Sequence, residues 1–367
     1  MKSTEYDVLS YKECISRQYN REEDMRGPYF RDQTAIIHSA PFRRLKHKTQ
    51  VFFAPDNDHV CTRIEHVLHV ATIAATICKG LQNSGWELEP ELAYAAGLGH
   101  DLGHAPFGHS GERALAQANK IGFEHELHSL RVVDKLARSG KGLNLTLGVR
   151  DAILCHNGER FEQFLIPDCK TPIGEKTYSA RKPATWEGCV VRYADKIAYL
   201  GRDIEDALLA GFIKKEDVPK GVQVELGQNN GDIINSLVID VIATSLKEGK
   251  IGVSSGKHGL IKELVNFNYS RIYNHPKLVE YQYYCNSAIK RIFERLYNLC
   301  TDKIAGNELN ISLPIDDSFI GYMDKMQLVY EGEDPYLIVT DYVSGMTDNY
   351  ALKVIEDITM PKPIVFG

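Results

Sequence analysis

Nowhere in the 367 residues do two of the eight cysteines form a Cys-x-x-Cys pair; they are scattered along the chain. That spacing argues against a zinc ribbon and fits reduced thiols better than a disulfide frame. Positive charge is also short. Lys and Arg number 43 against 49 Asp and Glu, a net charge of −6, so no whole-molecule field for nucleic acid exists. A polyanion must therefore be met by a local cluster. No stretch of about 18 apolar residues occurs, so no bilayer-spanning segment is expected. Residues 1–20 alternate charged and polar side chains without an apolar run, so no secretory signal is read. Internal repeats and low-complexity segments are missing too. A cytoplasmic protein with no membrane partner is the expectation. What remains is ordinary globular material, 43% hydrophobic and 25% charged, long enough to bury a substantial core.

Helical periodicity dominates. Ile64, Val67, Leu68, Ala71, Ala74, Ala75, Cys78 and Leu81 recur at helical spacing. A second stripe (Val70, Ile73, Ile77) makes this helix apolar nearly all round, which predicts a central position. Residues 91–98 predict another buried helix, entered through Pro90. Gly103, Pro106 and Gly108 break the chain before a helix resumes over 112–119. Further helices are expected at 127–137, 150–155, 186–209, 237–246, 260–273 and 279–299. Strand-like runs are few, Tyr336 to Thr340 being one, and loops are expected at 164–183 and 218–231. The fold class is all-α: one compact helical body with an N-terminal flap and a C-terminal helical lobe.

The densest chemistry lies in Gly99 to Glu112, which packs three histidines, an aspartate and a glutamate into fourteen residues. His100-Asp101 supplies one nitrogen and one oxygen ligand from adjacent positions. His66 and Asp195 each sit among apolar neighbours, where an unpaired imidazole or carboxylate is costly. Taken alone, His66 reads as a hydrogen-bonded core histidine and Asp195 equally as a salt-bridge residue. A cation shared by His66, His100, Asp101 and Asp195 satisfies all four. Two imidazoles and two carboxylates suit Mn²⁺, Mg²⁺, Fe, Ni²⁺ or Zn²⁺, and spacing does not choose among them.

His109 and Glu112 stand three apart at a helix entrance, where the carboxylate can orient the imidazole. The helix N-terminus opposes positive charge on His109 and Glu112 favours it, placing its titration near working pH. The structural alternative is a first-turn carboxylate beside a capping histidine. Arg43 to Lys48 is the strongest basic cluster. It reads either as solvated surface or as a counter-charge for a triphosphate, which arginine forks fit well.

An ordered series of motifs carries a resemblance. It comprises Arg31-Asp32, Ile37 to Leu45, Lys48 to Phe52, Thr62 to His66, Gly99 to Glu112, Ala194 to Tyr199, Asp203 to Ala207 and Asp341 to Asp348. In these stretches the chain resembles the HD-domain deoxynucleoside triphosphate triphosphohydrolases, the bacterial dGTPase-like group. The resemblance implies an HD-domain helical bundle, with an N-terminal segment (1–60) bearing substrate elements, a metal-binding core (61–210) and a C-terminal lobe (211–367). It implies a single divalent ion, Mn²⁺ or Mg²⁺ by first choice, on His66, His100, Asp101 and Asp195. His109 and Glu112 carry over as catalytic, with His104 facing the phosphates. Arg44 and Gln50 fall at the sugar end or the phosphate edge of the pocket, while Arg63 and Lys196 reach phosphate. Tyr199 stacks under the sugar and Asp203 accepts its 3′-hydroxyl. His125 lies near the pocket, and His156 is either behind the ligands or in a loop.

The implied reaction cleaves a deoxynucleoside triphosphate at the α-phosphorus into deoxynucleoside and triphosphate, His109 handling either the departing 5′-oxygen or the attacking water's proton. A homo-oligomer, hexamer or tetramer, is implied, together with single-stranded DNA or an allosteric nucleotide as further partners. Two other readings stand: a different HD phosphohydrolase acting as nucleotidase or phosphodiesterase, and a nucleotide- or DNA-binding sensor with little catalysis. His69 and Arg202 depart from the family pattern, so base preference is not transferred.

Overall fold

A computed structural model describes residues 6–22, 24–52, 59–157, 161–170, 173 and 181–360, and almost all regular structure in them is helical. After α1 (Gly27–Ile37), α2 (Arg63–Gln82) starts at a capping box between Thr62 and Glu65. Its Val67, Val70, Ala71, Ala74, Ile77 and Cys78 are fully buried, as the doubled apolar stripe requires. Burying each such Val or Ile contributes about 1.5–3 kcal/mol. By length and composition α2 is the one described helix apolar enough to cross a membrane, yet it is the core helix of the fold.

Helix α3 (Pro90–Gly99) lies against α2, and the two approach so closely because Gly97 faces Ala71. A Cβ on Gly97 would stand 2.6 Å from the Ala71 Cα. Next come α4 (Gly108–Ala118), α5 (His125–Arg131), α6 (Leu147–Leu154) and the long α7 (Trp186–Leu209), which packs across α2, α3 and α6. α8 (Asn230–Glu248) and α9 (Ser255–Asn268) cover α7 and complete the first hydrophobic core. A second core gathers around α10 (Pro276–Ala305), with α11 (Pro314–Lys325), α12 (Pro335–Ser344) and α13 (Asp348–Thr359). Phe107, Ala114 and Leu115, from the loop and helix of the histidine-rich motif, are buried in this second core.

Three expectations need correction. The strand-like run Tyr336–Thr340 is the middle of α12; Asp334 caps it by accepting from the Tyr336 N–H at 2.8 Å, and Pro335 opens it. An Asp-Pro entry outweighs a β-branched run when the segment packs on α10. The expected loop at 218–231 holds a short helix, Lys220–Glu225, whose Val222 is buried. In the expected loop at 164–183, Phe164–Leu165 pairs antiparallel with Ile251–Gly252; residues 171, 172 and 174–180 lie outside the described residues. The expected helices at 127–137 and 260–273 each pass into a π-turn, at Val132–Leu136 and Tyr269–Tyr273.

Candidate active site

Six segments deliver the polar groups to one place. α2 presents Arg63 and His66 on adjacent turns. The end of α3 delivers His100 and Asp101, α4 carries His109 and Glu112, α5 begins with His125, and His156 follows α6. Asp195 comes from the middle of α7.

His66, His100 and Asp195 form one potential ligand group, with His66 Nε2 at 3.0 Å and His100 Nε2 at 3.7 Å from Asp195 Oδ1. His100 Nδ1 donates to the Gly97 carbonyl at 2.8 Å, which fixes the tautomer and leaves Nε2 as the free lone pair. That Nε2 is buried and has no hydrogen-bond partner among the described residues. Asp101 falls in a second, overlapping group with His100 and His156, its Oδ1 3.7 Å from His100 Nε2. Its other oxygen is held by Arg63 Nη1. Thus three of the four expected ligands share a group, and the fourth adjoins it through His100.

A third group joins His104, Glu112 and His125. Glu112 is its hub: Oε1 accepts from the His125 backbone N–H at 3.0 Å and ring Nδ1 at 2.8 Å. Oε2 lies 3.2 Å from His109 Nδ1 and 3.5 Å from His104 Nε2. The expected His109–Glu112 contact is present, but His125 holds the carboxylate more closely. His156 Nδ1 donates to the Ile153 carbonyl at 2.7 Å, so its Nε2 must accept; His125 Nε2 faces it at 3.1 Å. Both His125 nitrogens therefore act as donors, which makes its ring a cation.

Electrostatics follow this wiring. Burial disfavours the His125 cation, but Glu112, Glu126 and Asp101 outweigh it and push its pKa up to about 10. Burial would raise Glu112, yet His125, His109 and His104 hold it well below the usual carboxylate range. Asp101 is likewise raised by burial and lowered further by Arg63 and the surrounding histidines, ending well below the usual range. Burial pulls His100 down to about 4 and His104 well below its ordinary value, so both rings are neutral.

The remaining expected site residues divide. Asp195, Tyr199 and Asp203 lie four apart along one face of α7, and Lys196 places its ammonium 5.9 Å from the Phe161 ring centroid. Asp203 is buried and accepts from the Tyr273 hydroxyl at 2.5 Å. Burial raises its carboxyl to about 7. Gln50 is buried above the start of α4, where its carbonyl would stand 2.8 Å from a Cβ on Gly108, a residue at φ +59°. Arg44 goes elsewhere, lining a cavity with Tyr322 and Gly345 that none of the metal-group residues enters. His69 and Arg202 lie outside the ligand groups; Arg202 pairs with Asp206 at 3.2 Å. Gly158 and Glu159, which follow His156, are outside the described residues.

Sequence reasoning missed Tyr273, which a period-3.6 reading classes as core. It also gave no role to the Asp341–Asp348 stretch. Asp348 accepts from the Phe107 and Thr49 N–H groups, each at 2.8 Å, and Ser344 O accepts from Lys48 Nζ at 2.7 Å. Lys48 also donates to the His104 carbonyl. Phe107 is held at φ +65°, a strained conformation for a bulky residue, and this clamp maintains it.

The HD domain family profile matches residues 63–200. A deoxyguanosinetriphosphate triphosphohydrolase-like protein of Caldanaerobacter subterraneus subsp. tengcongensis is 37% identical over 98% of this chain and 94% of its own length. The chain belongs to the deoxyguanosinetriphosphate triphosphohydrolase-like family. Members from Clostridium tetani and Desulfatibacillum aliphaticivorans are 36% and 35% identical, over 94% and 98% of the chain and 89% and 97% of their own lengths. A solved phosphohydrolase from Bacteroides thetaiotaomicron shares the fold, with a TM-score of 0.50 and 19% identity over 90% of this chain and 69% of its own. The chain is accordingly a phosphohydrolase of the HD superfamily.

Proposed function

We propose that this dGTPase-like protein is a metal-dependent triphosphohydrolase that converts a deoxynucleoside triphosphate to deoxynucleoside and inorganic triphosphate. One observation carries the reading: among the described residues, Arg63 Nε and Nη2, His100 Nε2 and His104 Nε2 are all buried around Asp101 without hydrogen-bond partners. An unsatisfied buried polar group costs about 1–3 kcal/mol, so a set of them in one wall favours an incoming polar ligand. The orphaned His100 nitrogen beside two carboxylates fits a divalent cation; the guanidinium edge fits phosphate oxygens.

His66, His100, Asp101 and Asp195 would hold the metal. When bound, such an ion supplies charge neutralisation at a phosphoryl oxygen and a water of lowered pKa. Arg63 binds phosphate through the two donors that Asp101 leaves unused, and the apolar surround strengthens that contact. His109, oriented by Glu112, gives its proton to the departing 5′-oxygen. The charged His125 keeps Glu112 ionised, so the carboxylate is available to hold and orient the His109 ring. Tyr199 and Asp203 take the sugar, with Tyr273 fixing the Asp203 carboxyl.

Chromatography of products from a panel of deoxynucleoside triphosphates with Mn²⁺ or Mg²⁺ tests this. Deoxynucleoside plus triphosphate is the expected pair. Deoxynucleoside monophosphate plus pyrophosphate, or no turnover with any member of the panel, would contradict it.

A further inference from the structure

The histidine-rich turn aims two acceptors at each other. His104 is fully buried, and its Nδ1 donates to the Ala105 carbonyl at 3.3 Å, so the ring's lone pair sits on Nε2. That Nε2 has no hydrogen-bond partner among the described residues, yet it stands 3.5 Å from Glu112 Oε2. Neighbouring histidines keep Glu112 ionised, so this oxygen too can only accept. A lone pair facing a carboxylate oxygen in a buried wall repels unless a positive or donating group joins them.

Glu112 divides its two oxygens. Oε1 is taken by the His125 backbone N–H at 3.0 Å and ring Nδ1 at 2.8 Å. Oε2 is left turned to His104 and, at 3.2 Å, to His109 Nδ1. His109 and Glu112 stand three apart near the start of α4, which keeps them on one face. His104 is fixed from behind: its N–H donates to the Asp101 carbonyl at 3.1 Å, and its own carbonyl accepts from Lys48 Nζ.

The spacing suits a small metal ion. In a tetrahedral site with bonds of about 2.0–2.1 Å, neighbouring ligand atoms stand about 3.4 Å apart. The two contacts of Glu112 Oε2, 3.2 and 3.5 Å, straddle that edge. The His109 side chain is 60% exposed, so its proton can move from Nδ1 to Nε2 and there face water. Around the three groups the carboxylates Asp101, Glu112 and Glu126 outnumber the cations Arg63 and His125.

We propose that His104 Nε2, His109 Nδ1 and Glu112 Oε2 form a second metal site, distinct from the His66, His100, Asp101 and Asp195 group, that takes Zn²⁺ or Co²⁺ with water as a fourth ligand. Two imidazoles and one carboxylate at tetrahedral spacing favour these ions over Mg²⁺, which demands octahedral oxygen ligation. They also favour them over Mn²⁺, which stands lowest in the divalent affinity order. Occupancy inhibits, because the ion takes the His109–Glu112 contact that handles the proton. The inhibition rests on the activity proposed above; the binding does not.

Co²⁺ titration of chelator-stripped protein, read by visible absorption and by metal analysis after equilibrium dialysis, tests the binding. Wild type should take two equivalents, one of them with the intense visible bands of tetrahedral cobalt. Asp195→Ala should lose the other equivalent and keep those bands. Glu112→Gln should keep the other equivalent, lose the bands, and bind the second ion roughly a hundredfold more weakly. His104→Gln should repeat that result, so a folding defect in one variant, seen by circular dichroism, does not decide the matter. A single equivalent in wild type, or two of unchanged affinity in both Glu112→Gln and His104→Gln, would overturn the proposal. Zn²⁺ added to Mn²⁺-loaded wild type should stop turnover without raising free Mn²⁺, followed by electron paramagnetic resonance. Turnover lost only in step with Mn²⁺ release would refute the inhibition.

Discussion

Replacing Glu112 by Gln should cost stability in a way that depends on pH, because the carboxylate's main partner is a charged histidine. Both His125 nitrogens donate, one to Glu112 at 2.8 Å and one to His156 at 3.1 Å. Burial opposes its charge, yet its pKa rises from 6.5 to about 10. At 1.36 kcal/mol per decade this is roughly 4–5 kcal/mol in favour of the protonated form, with Glu112 the largest favourable contributor ahead of Glu126 and Asp101. About half, ~2–3 kcal/mol, is assigned to Glu112. A group whose pKa is raised on folding contributes fully below its unfolded value and loses that contribution as pH rises through the folded value. Glu112, lowered on folding, contributes above its unfolded value and loses it as pH falls. The pair therefore stabilises most between about pH 4.5 and 6.5 and fades towards pH 10. Urea denaturation of metal-stripped wild type and Glu112→Gln should show a gap of ~2–3 kcal/mol at pH 6 that closes by pH 10.5. A gap that stays constant over that range, or a wild-type His125 ring titrating near 6.5 by NMR, would refute the reasoning.

Other perturbations have equally specific outcomes. Arg63→Met leaves Asp101 as a buried charge without its partner, so the metal-free protein should lose about 3–5 kcal/mol in urea unfolding, and added Mn²⁺ should restore part of it. A persistent loss of under 1 kcal/mol would show that the pair carries little. Asp203 is raised by burial to about 7, so its ionisation works against folding as pH climbs from 4 to 7. Asp203→Asn, which cannot ionise, should gain up to about 4 kcal/mol relative to wild type between pH 4 and 8 in thermal unfolding. A difference that is flat with pH would contradict it. Gly97→Ala places a methyl 2.6 Å from the Ala71 Cα, and forcing α2 from α3 should cost about 1–3 kcal/mol and weaken metal binding by separating His66 from His100. Unchanged melting and metal affinity would show that the helices can yield.

Legibility in the sequence tracked the kind of signal. The central position of α2 could be read because its apolar stripe wraps the helix, and the His100-Asp101 doublet could be read because adjacency is a local property. Asp195 taken alone reads equally as a helix salt-bridge residue; its apolar neighbours nominated it, and the resemblance gave it the ligand role. The strand-like reading of Tyr336–Thr340 failed because five residues do not separate a buried helix from a strand, and the Asp-Pro entry was the better signal. Tyr273 could not be assigned, since its partner Asp203 lies seventy residues upstream. Arg44 was placed at the sugar end or the phosphate edge by the resemblance alone; its side chain lines a cavity that helices some three hundred residues later help to build, which no local pattern announces. Histidine roles were the least legible. His156 became informative only when its backbone bond to Ile153 fixed its tautomer and, through that, the charge on His125.

Central to the proposed activity is one cation shared by side chains from α2, the end of α3 and α7. Titration of Mn²⁺ into chelator-stripped protein, with free ion followed by electron paramagnetic resonance, tests this most directly. Wild type should bind one tight equivalent, and Asp195→Ala and His66→Ala should each bind it at least a hundredfold more weakly. Unchanged stoichiometry and affinity in both variants would contradict the claim.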